Sequence, residues 1–350
     1  MNDNSILEVE DLQTHFFTDD GVVRAVDGVS FEVPRGETLG IVGESGCGKS
    51  ITSLSILNMV PRPGRIVSGA VRLRRQDGEV FAITDYQPKS REVRDIRGGD
   101  IAMIFQEPMT AFTPVYSIGR QIQEAVLTHQ DLDKKQAKER AIELLGYVGI
   151  SDPRRRYDEY PHQFSGGMRQ RAMIAMALSC DPGVLIADEP TTALDVTVEA
   201  QILKLLRDIQ DERGMSIILI THDLSVIGEM ADRVLVMYMG KLVEEGSCDA
   251  IFHSRRRHPY TEGLLHSIPS IGRRTKLEAI AGSTPNAYAL PTGCLYHPRC
   301  PYAMDVCSQR APGMYKTEPD HRAKCFLYDS DVMNGPAASA AGTEREGADR

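Results

Sequence analysis

The chain has 350 residues, and its 49 acidic against 40 basic side chains give a formal net charge of -9. That length accommodates one large α/β unit plus a smaller appended one, and the acidity argues against non-specific nucleic-acid binding. The first residues, Met1-Asn2-Asp3-Asn4-Ser5, carry no basic, apolar leader, and no stretch nears the roughly 20 apolar residues that span a bilayer, so a soluble, cytosolic protein is expected unless a partner holds it at a membrane.

Two alternating runs, Ile6 to Leu12 and Val22 to Val33, flank Thr18-Asp19-Asp20-Gly21 and predict antiparallel strands joined by a turn. The short apolar run Glu37 to Val42 reads as a buried strand, and Ile51, Leu54, Leu57 and Val60 then recur at helical spacing. After the break at Pro61-Arg62-Pro63-Gly64, residues 66 to 84 suggest further short strands. Residues 117 to 149 switch to a helical period, with Ile118, Ile122 and Val126 and then Ala141, Leu144, Leu145 and Val148 on one side. A helix over 166 to 179 leads into the apolar strand Val184 to Ala187. A further helix ends near Gly214, and the strand Ile217 to Ile220 follows it. Such β/α alternation predicts a mostly parallel sheet covered by helices. The last residues, from about 331 to 350, are rich in Ala, Gly and charge and read as a disordered tail.

Between the strand at 37 to 42 and the following helix lies Gly43-Glu44-Ser45-Gly46-Cys47-Gly48-Lys49-Ser50, which fits G-x-x-x-x-G-K-S/T in the strand, loop, helix context that the pattern requires. Its glycines let backbone N–H groups turn toward phosphate oxygens, Lys49 supplies a point charge, and Ser50 offers a hydroxyl to Mg²⁺. Asp188 and Glu189 stand just past the second buried strand, with Asp188 as the Mg²⁺ candidate and Glu189 as the base for an attacking water. His222, past the strand at 217 to 220, is placed to meet the γ-phosphate. Gln106, after the apolar Ile104-Phe105, can reach Mg²⁺ or the water through its amide oxygen. Ser165-Gly166-Gly167 opens a helix whose free N–H groups make a second anion site, of most use facing a nucleotide on another subunit.

Taken in order, these segments resemble the ATP-binding-cassette (ABC) ATPases over about residues 6 to 250. Walker A corresponds to Gly43 to Ser50, the Q-loop to Gln106, the signature to Ser165 through Gln170, Walker B to Val184 through Asp188 with Glu189, the D-loop to Ala193-Leu194-Asp195, and the switch to His222. The resemblance implies a P-loop NTPase, RecA-like α/β core with an antiparallel β subdomain, a helical subdomain at about 107 to 180 and a small C-terminal extension. It also implies a two-cassette sandwich in which each ATP lies between one subunit's phosphate loop and the other's signature. In that family an aromatic residue ahead of Walker A stacks on adenine, and Phe16 is the best match, with Phe17 as the alternative. Phe164 stands where many members have Leu, a change expected to alter packing more than chemistry.

Phe105 to Thr110, Thr191 to Val198, His258 to Leu265 and Gly293 to Pro301 further resemble the oligopeptide/dipeptide-importer ATPases, whose extension corresponds to residues 251 to 330. The resemblance implies ATP hydrolysis coupled to two transmembrane permeases, a second cassette that is like or unlike this one, an extracytoplasmic solute-binding protein acting indirectly, no nucleic acid, and a peripheral place at the cytoplasmic face of the bacterial inner membrane. Related systems serve peptides, nickel, glutathione and other small solutes. Ala111-Phe112-Thr113-Pro114 replaces the Ser-Leu-Asn-Pro common in this subfamily, in the segment where a permease is expected to dock. The spacing Cys294-x5-Cys300-x6-Cys307-x17-Cys325 matches a cluster that the resemblance links, in some members, to a 4Fe-4S centre. By chemistry the four thiols leave zinc, unligated thiols or disulfides open as alternatives.

Overall fold

Thr38–Val42, Val184–Asp188 and Ser216–Ile220 are apolar along nearly their whole length, and every residue in them is buried. A strand covered on both faces needs such a sequence. In the computed structural model, which describes residues 1–192, 194–267 and 280–333, these segments are neighbours at the centre of one sheet. In chain order the first six strands are β1 (Ser5–Thr18), β2 (Gly21–Pro34), β3 (Thr38–Val42), β4 (Gly64–Arg74), β5 (Val80–Ala82) and β6 (Ile101–Ile104). The others are β7 (Val184–Asp188), β8 (Ser216–Ile220), β9 (Arg233–Tyr238), β10 (Lys241–Ser247), β11 (Tyr315–Glu318) and β12 (His321–Ala323).

The larger sheet runs β11-β12-β10-β9-β3-β8-β7-β6, and the smaller runs β2-β1-β4-β5. From β9 to β6 the large sheet is parallel, so the loops after β3, β6, β7 and β8 all open along one edge, where ligands of open α/β sheets bind. The expected β1–β2 hairpin forms with Thr18 opposite Gly21.

Successive side chains of a strand point to opposite faces. Leu39 and Ile41, Val184 and Ile186, and Ile218 and Ile220 accordingly join the core beneath the small antiparallel sheet. Leu185, Ala187, Ile217 and Leu219 join the core on the helical side. That second core also takes in Ile118, Ile122, Leu144 and Leu145 of the helices Ile118–His129 and Lys134–Tyr147, together with Phe164. Phe164 is buried there, and Phe112 joins the same core while Val115 and Tyr116 beside it stay exposed. Gly119 is required at its position because a Cβ there would stand 2.0 Å from the Tyr157 ring.

The C-terminal extension is built into the nucleotide-binding core. Strand β12 pairs antiparallel with β10, Gly246 opposite His321 and Glu244 opposite Ala323, and β11 completes that edge. The join is sealed by a fully buried pair, His321 Nε2 with Glu244 Oε1 at 2.7 Å, and the same carboxylate oxygen accepts the His258 backbone N–H at 2.9 Å. His258 in turn caps the helix Pro259–His266, its Nδ1 accepting the Tyr260 N–H at 3.1 Å. Burial pushes the His258 imidazole down to about 4, which keeps Nδ1 free to accept. Ser330–Met333 is helical and runs into the stretch read as a disordered tail; the rest of that tail, residues 334 to 350, lies outside the described residues, as do Ala193 and residues 268 to 279. Among the described residues no helix is long and apolar enough to cross a membrane.

Candidate functional site

The loop after β3 turns on two glycines that no other residue could replace. Gly43 has φ 152° and Gly48 φ 107°; a Cβ on Gly43 would stand 2.3 Å from the Met237 carbonyl oxygen, and one on Gly48 2.2 Å from that of Ala25. The helix Lys49–Ile56 starts directly behind Gly48, so its first N–H groups and its positive end face the loop's mouth. Lys49 is buried, and its Nζ donates to the Gly43 and Glu44 carbonyls at 2.7 and 3.2 Å. Ser45, Gly46, Gly48, Lys49 and Ser50 line a cleft of about 260 Å³, whereas Cys47 packs inward with its thiol pushed up by burial.

Gln106 and Glu189, from the ends of β6 and β7, line the same cleft. Ser50 Oγ donates to Asp188 Oδ1 at 3.2 Å, and burial, helped by the neighbouring Glu189 charge, pushes the Asp188 carboxyl above the usual range. Glu189 adopts a left-handed φ of 47°, unusual for a side chain of its size, and its N–H donates to the Ile220 carbonyl at 2.8 Å. One of its carboxylate oxygens accepts from Gln106 Nε2 at 2.8 Å and Thr192 Oγ1 at 2.9 Å; the other meets His222 Nδ1 at 3.2 Å. Partial burial pushes this carboxyl up, but the hydrogen bonds from Thr192 and His222, with the charges of His222 and Lys49, outweigh burial and hold it below the usual range. An ionised carboxylate held at three points from three different strand ends is therefore poised beside the phosphate loop.

Gln106, Asp188, Glu189 and His222 are thus brought together with Lys49 and Ser50, and Thr192 joins them unannounced by any charge or ring in its sequence. Phe16 does not line the cleft. Its ring lies where a Cβ on Gly64 would stand, 2.8 Å away, and Phe17 instead carries the Arg65 guanidinium 4.4 Å above its ring. Val23, Ala25 and Met239, with Ala287 and Leu290 of the extension, add apolar lining to the same cleft. Sequence reasoning missed these because apolar residues from three separate segments carry no local signal.

Ser165, Gly166 and Gly167 lie apart from this cleft at the start of the helix Gly166–Ala177, where Ser165 Oγ accepts the Met168 N–H at 3.3 Å. Ser165 and Gly166 are exposed. Asp195 is exposed too, and it caps the helix Val196–Arg213 by accepting from Thr197 and Val198.

The cysteine cluster finds no support as a metal centre. The Cys294 N–H donates to the Cys307 carbonyl at 2.8 Å, but no group of three or more His, Cys, Asp or Glu side chains among the described residues is arranged to hold a metal ion. Burial pushes Cys300 up to about 11 and Cys325 up to about 12, and the neighbouring thiols push each further. Spacing along the chain fixed none of the directions in which the four sulfurs point. Nothing among the described residues supports an iron-sulfur or zinc centre at these thiols.

Residues 26–192 match the family model of the ABC transporter, and residues 243–307 match that of the oligopeptide/dipeptide transporter, C-terminal region. The oligopeptide transport ATP-binding protein AppD of Bacillus subtilis (strain 168) is 50% identical over 330 residues, 94% of this chain and 98% of the relative. The dipeptide transport ATP-binding protein DppD of Escherichia coli (strain K12) is 46% identical over 333 residues, 95% of this chain and 99% of the relative. The chain belongs to the ABC transporter ATPases, in the oligopeptide/dipeptide branch. Solved ABC cassettes share its fold. A dimeric post-hydrolysis state of the cassette MJ0796, bound to ADP and Pi, superposes with a TM-score of 0.60 at 24% identity, covering 69% of this chain and 98% of that one. The cassette cbiO1 of Clostridium perfringens, part of the transporter complex cbiONQ, gives 0.57 at 28% identity, covering 72% and 92%.

Proposed function

We propose that this ABC ATPase binds ATP in the cleft over Lys49 and hydrolyses it with Glu189 as general base, driving import of di- or oligopeptides. The observation that carries the reading is the Glu189 carboxylate, kept ionised and aimed by Gln106, Thr192 and His222 at the edge of a phosphate loop. A base must be in its proton-accepting form and within reach of the water it activates; the lowered Glu189 carboxyl and its place on the cleft wall support that role. Lys49 and the loop N–H groups hold the phosphates, and His222 orients Glu189 and the γ-phosphate. Mg²⁺ suits the oxygen donors here: the Ser50 hydroxyl already faces Asp188, and the Gln106 amide lines the same cleft. When bound, the ion neutralises the phosphate charge and offsets the burial that raises the Asp188 carboxyl.

The peptide cargo is supported by the two relatives, which are named for oligopeptide and dipeptide transport and run nearly the full length of the chain. The exposed helix start at Ser165 and Gly166 supports a sandwich with a second cassette, whose ATP it would cover. Exposed Val115 and Tyr116, next to the divergent Ala111 to Pro114 segment, support docking of permease subunits there, and a peripheral position at the cytoplasmic face of the inner membrane belongs to the same reading.

The test is reconstitution of this chain with its permeases, its second cassette and its solute-binding protein in vesicles. ATP hydrolysis is expected to rise several-fold when the binding protein is loaded with peptide. A transporter indifferent to peptides but stimulated by a metal ion or another small solute would reassign the cargo.

A further inference from the structure

The phosphate loop is gripped from outside the cassette motifs. Glu44, the first variable residue of the loop, places a carboxylate in a segment that must gather a polyanion. Arg299, from the extension, holds it with a two-point fork, Nη1 to Oε2 at 2.6 Å and Nη2 to Oε1 at 2.9 Å. The Glu44 backbone N–H donates to the Tyr260 hydroxyl at 2.7 Å, and its carbonyl accepts from Lys49 Nζ at 3.2 Å, so its backbone is fixed on both sides.

Arg299 itself has no room to move. Its side chain is only 4% exposed, against 27% for Glu44. Its Nε donates to the Ala281 carbonyl at 3.1 Å, and the guanidinium carbon lies 6.0 and 5.9 Å from the ring centres of Tyr238 and Tyr296. Those two rings and Tyr260 pack against one another with centroids 4.7 to 5.4 Å apart. Three tyrosines and a backbone carbonyl thus hold the fork in one orientation, at little cost in side-chain freedom on binding.

Charges at this depth are weakly screened, so a bare Glu44 carboxylate would repel incoming phosphates and oppose the pull of Lys49. Pairing with Arg299 removes that repulsion, and the fixed Glu44 backbone holds the first turn of the loop ready for ligand. Resting on the ATPase reading of the cleft, we propose that Arg299 is a positioning residue through which the C-terminal extension neutralises and orients Glu44 and thereby sets the loop's affinity for ATP.

The test measures equilibrium binding of a fluorescent, non-hydrolysable ATP analogue with Mg²⁺ to the full chain, using wild type, Arg299→Met and the double variant Arg299→Met/Glu44→Gln. Arg299→Met is expected to weaken binding roughly tenfold, because it leaves a partly buried charge unpaired, and removal of that charge in the double variant is expected to restore binding to within about threefold of wild type. Unchanged affinity in Arg299→Met overturns the proposal. Weakened binding that Glu44→Gln does not restore also overturns it, since Arg299 would then serve the fold alone. If Arg299→Met fails to melt cooperatively, Arg299→Lys takes its place. It keeps the charge but loses the fork, and a loss of about twofold that disappears with Glu44→Gln is expected, whereas wild-type affinity overturns the proposal. A wild-type chain that binds no analogue at all would instead count against the ATPase reading itself.

Discussion

Glu189→Gln is expected to cut steady-state ATP hydrolysis by about 100-fold or more while leaving ATP affinity nearly intact. The substitution keeps the size of the side chain, and a glutamine oxygen can still accept from Thr192 Oγ1, now 2.9 Å from the carboxylate, so the loop geometry is preserved. What it removes is the ability to take a proton, and general bases contribute roughly 10² to 10⁴ in rate. Hydrogen bonds and nearby positive charge hold the Glu189 carboxyl below the usual range despite burial, so it is already ionised at neutral pH. Phosphate release measured alongside analogue binding separates the two effects. Turnover equal to wild type in this variant would mean that another group activates the water.

Lys49→Ala acts on the other half of the reaction. Its Nζ is the cation buried beneath the loop, reaching the Gly43 and Glu44 carbonyls. Charge-assisted hydrogen bonds of this kind contribute about 1.5 to 3 kcal/mol, which corresponds to a rise in Kd for ATP of roughly 10- to 100-fold. Titration calorimetry with Mg-ATP in the non-hydrolysing Glu189→Gln background reads that change directly. Affinity within a factor of two of the background would remove Lys49 from the phosphate site.

What the sequence revealed, it revealed where chemistry is local. The strands β3, β7 and β8 are legible because burial on both faces demands an unbroken apolar run. The phosphate loop is legible because its glycines and lysine are adjacent in the chain and stand between a strand and a helix. Gln106, Asp188, Glu189 and His222 could be placed because each follows a strand of one parallel sheet, and parallel strands deliver their carboxyl ends to one edge.

Non-local features stayed hidden. Strands β11 and β12 are only four and three residues long, too short for alternation to show; β12 gains its place by pairing with β10, far earlier in the chain, and β11 by pairing with β12. The Arg299–Glu44 fork joins residues 255 positions apart, and no pattern in either segment announces it. Phe16 was chosen by its place before the loop, yet the direction of one aromatic side chain depends on the Gly64 backbone beside it. The four cysteines are a like case, because spacing along the chain says nothing of how sulfurs are oriented, and nothing among the described residues supports a metal there.

The two glycine-rich segments carry the central claim, that this chain binds one ATP with its own phosphate loop and covers its neighbour's with Ser165 to Gly167. Gly166 separates the two roles, because it is exposed and a Cβ there would approach nothing nearer than Leu194 at 4.0 Å, so a substitution leaves the fold undisturbed. The measurement is ATP-dependent association with the second cassette, read as mass in solution in the Glu189→Gln background, with and without Gly166→Asp. A carboxylate at that helix start should repel the neighbour's phosphates. The predicted result is loss of association with ATP affinity in this chain's own cleft unchanged within about threefold; intact association, or a loss of own-cleft affinity as large as that of Lys49→Ala, would contradict the account.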